Sequence, residues 1–155
     1  MSFRINSPSL RQALINYYIM EKRGYKGIIG ISSRNLIFLD VDGKDEEQKQ
    51  ELISVLNAIV KIIAENSQYA IKCTGKIIIY ETNGGLHGII TIPLTRFLWM
   101  KIYNFLSKEI HEGRIKYIDV RHVDFSIKRG YTTLRLNHIA KLYEKDVEVC
   151  SQHGE

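Results

Sequence analysis

Two aspartates lie two positions apart, Asp40 and Asp42, and end an apolar run in the segment NLIFLDVDG. Side chains alternate between the faces of a β-strand, so both carboxylates would lie on one face, roughly 6–7 Å apart. Such like charges are compensated by a divalent cation, by a shared proton or by exposure beyond the strand end. Because Mg²⁺ and Mn²⁺ take carboxylate oxygens and keep positions open for phosphates, the pair indicates a metal site. The alternative is a strand that ends in an ordinary Asp-Gly turn.

A histidine preceded by two glycines forms the second group, in ETNGGLHGIITI. Gly84 and Gly85 would allow backbone amides to approach an anion closely, and the imidazole of His87 could donate to a phosphate oxygen. An ordinary hairpin gives the same pattern. These residues therefore indicate phosphate binding only in combination with the carboxylates.

The segment KYIDVRHVDFSIKRGYTTLRL adds further carboxylates and a cluster of cations. Asp119 and Asp124 are rivals for a third metal-binding position. Lys128, Arg129 and Arg135 follow within a short span and could hold a triphosphate. A solvated edge strand with alternating charges is the alternative interpretation.

Taken in order, these three segments resemble the motifs of the archaeo-eukaryotic primase superfamily. The resemblance rests on LDVDG, on GGLHG leading into a strand, and on YIDV followed by a basic stretch that ends in TLRL. It covers about Leu36 to Leu136, and its specificity lies in the order, spacing and strand context of the motifs. Asp119 matches the third carboxylate better than Asp124, because it directly follows the apolar pair Tyr117-Ile118.

The resemblance implies metal-dependent nucleotidyl transfer by a DNA primase or primase-polymerase. Two Mg²⁺ or Mn²⁺ ions would be held by Asp40, Asp42 and Asp119. The implied phosphate-binding residues are His87, Gly84, Gly85, Lys128, Arg129 and Arg135. The implied partners are nucleoside triphosphates and a single-stranded or primed DNA template, with other replication proteins as a further hypothesis.

Two other functions are compatible with these residues. One is a non-catalytic, nucleic-acid-binding replication protein of the same fold. The other is a phosphatase of the haloacid dehalogenase type, which also opens with Asp-x-Asp-Gly after an apolar strand. In that family a Thr commonly follows the Gly, whereas here Lys44 follows, and no later paired-Asp motif is present.

The residue patterns predict an α+β fold. From Asn35 to about Val123 the expected order is βαββαβ, a ferredoxin-like or RNA-recognition-like sheet with helices on one face and the other face open. The strand of Asp40 would lie between those of His87 and Asp119. A short N-terminal αβ extension and a C-terminal strand and helix complete the prediction. The expected helices are 10–24, 45–66, 94–113 and 137–149, and the expected strands are 27–32, 35–41, 69–73, 76–82, 86–92, 114–123 and 131–136, with tight turns at Thr74-Gly75 and 83–85.

Composition places the chain among ordinary globular proteins. Its 155 residues predict a single domain, 1–155, and the formal charge of +5 with a pI near 9.2 is compatible with a nucleotide or nucleic acid partner. Two cysteines without a CxxC pattern predict neither a zinc site nor a disulfide framework. No apolar run has the length of a membrane span, and no signal peptide is recognisable, so we expect no membrane partner and a cytoplasmic, reducing location.

Overall fold

The computed structural model describes residues 2–5, 15–22, 25–136 and 139–150 of the chain. These residues form an α+β fold of two antiparallel sheets and three α-helices, which confirms the predicted class. The strands are β1 (Ser2–Ile5), β2 (Ile15–Lys22), β3 (Tyr25–Ser33), β4 (Ile37–Asp42), β5 (Thr74–Glu81), β6 (Gly85–Ile90), β7 (Thr132–Arg135) and β8 (Ala140–Glu148). The helices are α1 (Glu46–Glu65), α2 (Arg96–His111) and α3 (Val120–Arg129).

The second sheet carries the main core of the described region. Its strand order is β4-β6-β5-β8, whereas the first sheet has the order β1-β2-β3-β7. The apolar side chains Ile37, Leu39 and Val41 alternate along β4 and are fully buried in one core with residues of α1 and α2. Helix α1 begins at the predicted position, because Asp45 and Gln48 form a capping box there. The predicted pairing of β4 with the strand of His87 is confirmed.

The opposite face of β4 is covered over part of its length, which corrects the expectation of an open face. Phe38 is fully buried there in a second cluster with Ile31 of β3 and Leu134 of β7. The two sheets therefore pack against each other at this level. Asp40 and Asp42 follow Phe38 at intervals of two and lie on the same face, beyond the part that the first sheet covers.

The predicted strand at 114–123 is wrong. Only Ile118 pairs with β4, through an isolated antiparallel bridge to Val41, and the chain then enters α3 at Val120. Asp119 is the N-cap of this helix, and its Oδ1 accepts a hydrogen bond of 2.9 Å from the backbone N–H of Arg121. An aspartate after a short apolar run is also an N-cap signal, and from Val120 onward the helical period applies in place of the strand period.

Side chains of α2 occupy the edge of β4 where the last strand of the predicted sheet was expected. The hydroxyl of Tyr103 donates to the carbonyl of Phe38 at 2.7 Å and accepts from its N–H at 3.0 Å. Trp99 Nε1 donates to the carbonyl of Leu36 at 2.9 Å. Because buried backbone groups need partners, these two aromatic residues make a fifth strand unnecessary.

Both predicted terminal helices are wrong as far as the structure describes them. The region 10–24 contributes β2, which pairs antiparallel with β1 and β3, while residues 10–14, 23 and 24 lie outside the described residues. The region 137–149 contributes β8, which pairs with β5. Isoleucine and tyrosine in INYYIMEK favour strands, and in both regions strand pairing overrides the helix-like spacing. The strand predicted at 131–136 is confirmed as β7.

The link between α1 and β5 also differs from the prediction. A 3₁₀ turn at Ser67–Tyr69 and an isolated bridge at Ala70 replace the strand expected at 69–73. Thr74 and Gly75 begin β5 and do not form a hairpin turn. Cys73 and Cys150 form a disulfide, with their Cα atoms 5.0 Å apart, that joins the start of β5 to the end of β8. The sequence predicts no disulfide framework, whereas the structure joins the two cysteines of the chain in this one bond.

Candidate metal centre

Three carboxylates from distant parts of the sequence meet at the end of β4. One oxygen each from Asp40, Asp42 and Asp119 lies within 4.8 Å of the other two. The backbone N–H of Asp119 donates to the carbonyl of Asp40 at 2.8 Å, and together with the bridge between Ile118 and Val41 it fixes the third carboxylate beside the pair. The isolated bridge thus places Asp119 beside Asp40, which was the role expected of the predicted strand.

Asp124, the rival for the third position, lies elsewhere. Its carboxylate accepts a hydrogen bond of 2.7 Å from Ser107 Oγ and lies 3.0 Å from His111 Nε2. Burial raises the pKa of Asp124, but the hydrogen bonds from Ser107 and His111 outweigh it and hold the pKa below its usual value. Asp124 follows Asp119 by five positions, which is about 140° around α3, so the two side chains point in different directions. The structure therefore groups Asp119 and not Asp124 with the pair.

His87 pairs directly with Asp40 across the two neighbouring strands. Its Nε2 lies 3.2 Å from Asp40 Oδ1, and the residue is only 8% exposed. Burial raises the pKa of Asp40. The hydrogen bond and the charge of His87 lower this pKa by a larger amount, so that it lies below its usual value. The Nδ1 atom of His87 is buried and has no hydrogen-bond partner among the described residues. The imidazole therefore lowers the pKa of Asp40, and it is almost completely buried where it borders the cavity.

The turn at Gly84 and Gly85 packs tightly against the end of β4. The Gly43 N–H donates to the carbonyl of Gly84 at 2.9 Å, and a Cβ on Gly85 would lie 2.1 Å from the carbonyl of Val41. The N–H of Gly85 donates to Thr82 Oγ1 at 2.9 Å. Glycine is therefore required at position 85 for close approach of the two strands, and its amide already has a partner. Gly84 has open space around it.

A cavity of about 620 Å³ opens beside the carboxylates, between β4, β7, α3 and the glycine turn. The predicted residues that line it are Asp40, Asp42, Gly84, Gly85, His87, Arg129 and Arg135. Lys128 is exposed near the end of α3 and does not line the cavity. Acidic groups on one wall and arginines on another are the arrangement that a metal-bound polyphosphate requires.

The cavity also contains residues that the sequence did not indicate, above all His122, Phe125 and Tyr131. His122 Nε2 donates to the carbonyl of Thr133 at 3.0 Å, and its Nδ1 is buried without a partner among the described residues. Burial lowers the pKa of His122 below its usual value. A helix over 120–129 places His122 and Phe125 on one face, whereas the residue pattern predicts a strand at 114–123 and no helix at 124–129.

The donor set fits a hard divalent cation. Three carboxylate oxygens at this separation repel one another, and within the described region His87 is the only residue that forms an ion pair with any of the three. Carboxylates that keep open positions are the ligands that Mg²⁺ and Mn²⁺ take beside phosphates. Asp40, Asp42 and Asp119 could hold such an ion.

Comparisons with known proteins give no information about the function of this chain. No protein-family model, no curated protein and no solved structure matches this chain. The sheet that carries Asp40 is antiparallel, whereas the phosphatase alternative rests on parallel α/β units. The site consists of a carboxylate cluster beside a cavity that both aspartates and arginines line.

Proposed function

We propose that this protein is a metal-dependent nucleotidyltransferase, a minimal DNA primase or primase-polymerase that adds nucleotides to a template-directed primer. The observation that carries the proposal is the meeting of Asp40, Asp42 and Asp119 at the end of β4, where Asp40 and Asp42 share a cavity with Arg129 and Arg135. The order β4-β6-β5, with α1 connecting β4 to β5, supports the first three strands of a ferredoxin-like scaffold, and the isolated bridge at Ile118 lies where its last strand was predicted.

Each group in the cavity has a role in this reaction. Asp40, Asp42 and Asp119 would hold Mg²⁺ or Mn²⁺, which when bound supplies activation of the attacking hydroxyl and charge neutralisation on the leaving pyrophosphate. Arg135 would bind the triphosphate through charge-assisted hydrogen bonds. The guanidinium of Arg129 lies against the Phe125 ring, further along α3. The solvent-exposed side chain of Lys128 would contact the phosphate backbone of the template.

His87 links the metal-binding and phosphate-binding parts of the proposal. Its Nε2 lies 3.2 Å from Asp40 Oδ1, and Asp40 is one of the three carboxylates that could hold a metal ion. With a cation bound, the carboxylate of Asp40 would interact less strongly with the imidazole, because its negative charge would be shared with the cation. The N–H of His87 would then be released for a phosphate oxygen at the mouth of the cavity.

The proposal implies a DNA template, contacts with other replication proteins and a cytoplasmic location. The net charge of +5 suits the first of these. Among the helices that the structure describes, none is long and apolar enough to cross a membrane. The disulfide Cys73–Cys150 bears on the location, because intracellular proteins keep disulfides mainly in hyperthermophilic organisms. The cytoplasmic location therefore stays a prediction.

A primer-extension assay tests the proposal. The wild-type protein is incubated with a primed and an unprimed DNA template, each with ribonucleotides and with deoxyribonucleotides, in Mg²⁺, Mn²⁺ or chelator. We expect extension that requires a divalent cation, is abolished in Asp42→Asn and is retained in Asp124→Asn. A protein that binds DNA equally well in chelator and extends nothing is a passive nucleic-acid-binding module, and the proposal is then wrong.

A further inference from the structure

One face of α3 forms a wall of the cavity. Its cavity-lining residues are His122, Phe125, Ser126 and Arg129, spaced as i, i+3, i+4 and i+7. Apolar side chains on such a helix face normally pack against the protein core, but Phe125 is 49% exposed. The aromatic ring therefore projects into space that the protein itself does not fill.

Two more groups with flat surfaces lie in the same cavity. The guanidinium of Arg129 lies 5.2 Å from the centroid of the Phe125 ring, within the range of a cation–π contact. Tyr131 is 39% exposed and also lines the cavity, directly after Gly130 ends α3 with a left-handed φ of 79°. Scattered exposed aromatic residues are common on protein surfaces, but here two of them share a cavity with the carboxylate pair.

The positions of these groups along α3 separate two ends of the cavity. Asp119 caps the helix beside the carboxylates, and Phe125 follows six residues later, about 9 Å along the helix axis at the usual rise. Arg129 lies one turn further. A ligand with its polyphosphate at the carboxylates would thus extend its opposite end toward the aromatic rings.

We propose that Phe125, supported by Arg129 and Tyr131, stacks on the base of the incoming nucleotide. The inference rests on the proposed function for the position of the triphosphate, and it adds the recognition of the base. Nucleobases bind to exposed aromatic rings and arginine planes by stacking. The cavity volume of about 620 Å³ lies within the range for sites that enclose a ligand of nucleotide size.

Stacking predicts a defined pattern of selectivity. Every base has an aromatic face, so all four nucleotides should bind, with purines ahead of pyrimidines because their area is larger. A triphosphate without a base should bind more weakly than a nucleotide. Hydrogen-bond recognition of one base would instead give strong preference for that base.

The test compares ATP and dATP with inorganic tripolyphosphate by isothermal titration calorimetry, in Mg²⁺ and in chelator. The variants are Phe125→Leu and, as a matched control, Phe105→Leu, which changes a Phe of α2 that is 39% exposed and lies outside the cavity. We expect Phe125→Leu to weaken nucleotide binding by roughly 5- to 100-fold and to leave tripolyphosphate binding and thermal stability unchanged. Phe105→Leu should change neither affinity.

The outcomes separate this inference from the proposed function. Equal affinities of wild type and Phe125→Leu for ATP overturn the stacking role, even if binding requires Mg²⁺. Loss of affinity for a single-stranded oligonucleotide, with ATP binding intact, assigns the ring to the template and also overturns it. Nucleotide binding that depends on Phe125 but not on Mg²⁺ keeps the stacking role and contradicts the proposed function. Absence of any nucleotide binding overturns both.

Discussion

Replacing Asp42 by Asn is the most informative single change at the carboxylate cluster. The substitution removes one negative charge and keeps the size of the side chain. Asp42 is exposed, and its carboxylate has no hydrogen-bond or ion-pair partner within the described part of the chain. We therefore expect the fold to tolerate Asn, while a metal ion would lose one of its three carboxylates.

The size of the effect follows from the geometry. Oxygens within 4.8 Å of one another repel by about 0.9 kcal/mol per pair at the dielectric constant of water. Asn at position 42 abolishes two of the three repulsive pairs, and screening at physiological salt reduces the total gain to about 1 kcal/mol. For a chain of this length, that raises the metal-free Tm by about 2–4 °C.

Metal binding should reverse the order of the two proteins. A cation at a hundredfold excess over its Kd stabilises the wild-type protein by about 2.7 kcal/mol, which corresponds to a rise of about 5–10 °C. Asp42→Asn should gain little from the same concentration of Mn²⁺. Differential scanning fluorimetry with and without Mn²⁺ measures both effects, and Asp124→Asn is the control, because its carboxylate lies with Ser107 and His111, away from the cluster.

Two results would refute this reasoning. A lower metal-free Tm of Asp42→Asn would mean that the carboxylate stabilises the fold and is not repelled by its neighbours. An equal Mn²⁺-induced shift in wild type and Asp42→Asn would mean that any bound ion does not use this cluster. Either result removes the basis for the metal site.

Three further changes test other parts of the structure. Asp119→Asn should abolish the Mn²⁺-induced Tm shift but retain the helix cap, since Asn caps as well as Asp. Asp119→Ala should abolish the same shift and also lose about 1 kcal/mol of stability. Equal Tm values of the two variants without metal would contradict the capping role of Asp119. Burial lowers the pKa of His122 below 6.5, so the unfolded state binds more protons and stability should fall as pH decreases through 6.5 toward the folded-state pKa. Urea unfolding between pH 7.5 and 5.5 should show a flatter dependence for His122→Gln, and identical slopes would be evidence against a buried neutral ring. Reducing the disulfide Cys73–Cys150, which spans 77 residues, should destabilise the protein by up to about 4.5 kcal/mol on the chain-entropy model, and a Tm insensitive to reductant would show that the bond does not form.

The parts of the fold that the sequence predicted well are those with strong local signals. The helix after Asp45 has an acidic first turn and a continuous apolar face, and the structure places it within one residue of the predicted bounds at each end. The run LHGIITI and the glycine turn before it gave β6 and its hairpin with β5. In these segments local propensity and tertiary packing agree, so a pattern along the chain is sufficient.

The segments that were predicted wrongly are those in which packing overrides local spacing. Segment 15–22 has apolar residues at helical intervals, yet it pairs with two strands. Segment 114–123 alternates like a strand, yet the edge it would have paired with is already taken by Tyr103 and Trp99 of α2. No pattern within either segment reports which partner is available elsewhere in the fold.

The sequence by itself determined the chemistry at this site: two carboxylates on one strand face, a histidine after two glycines, and cations that follow a third carboxylate. Only the tertiary structure decided that Asp119 rather than Asp124 joins the pair, because one isolated bridge at Ile118 and one helix cap set the direction of each side chain. It also decided that Phe125 and Tyr131 face the same cavity. Residue types fix which bonds a group can make, whereas distance and direction depend on contacts between segments that are remote along the chain.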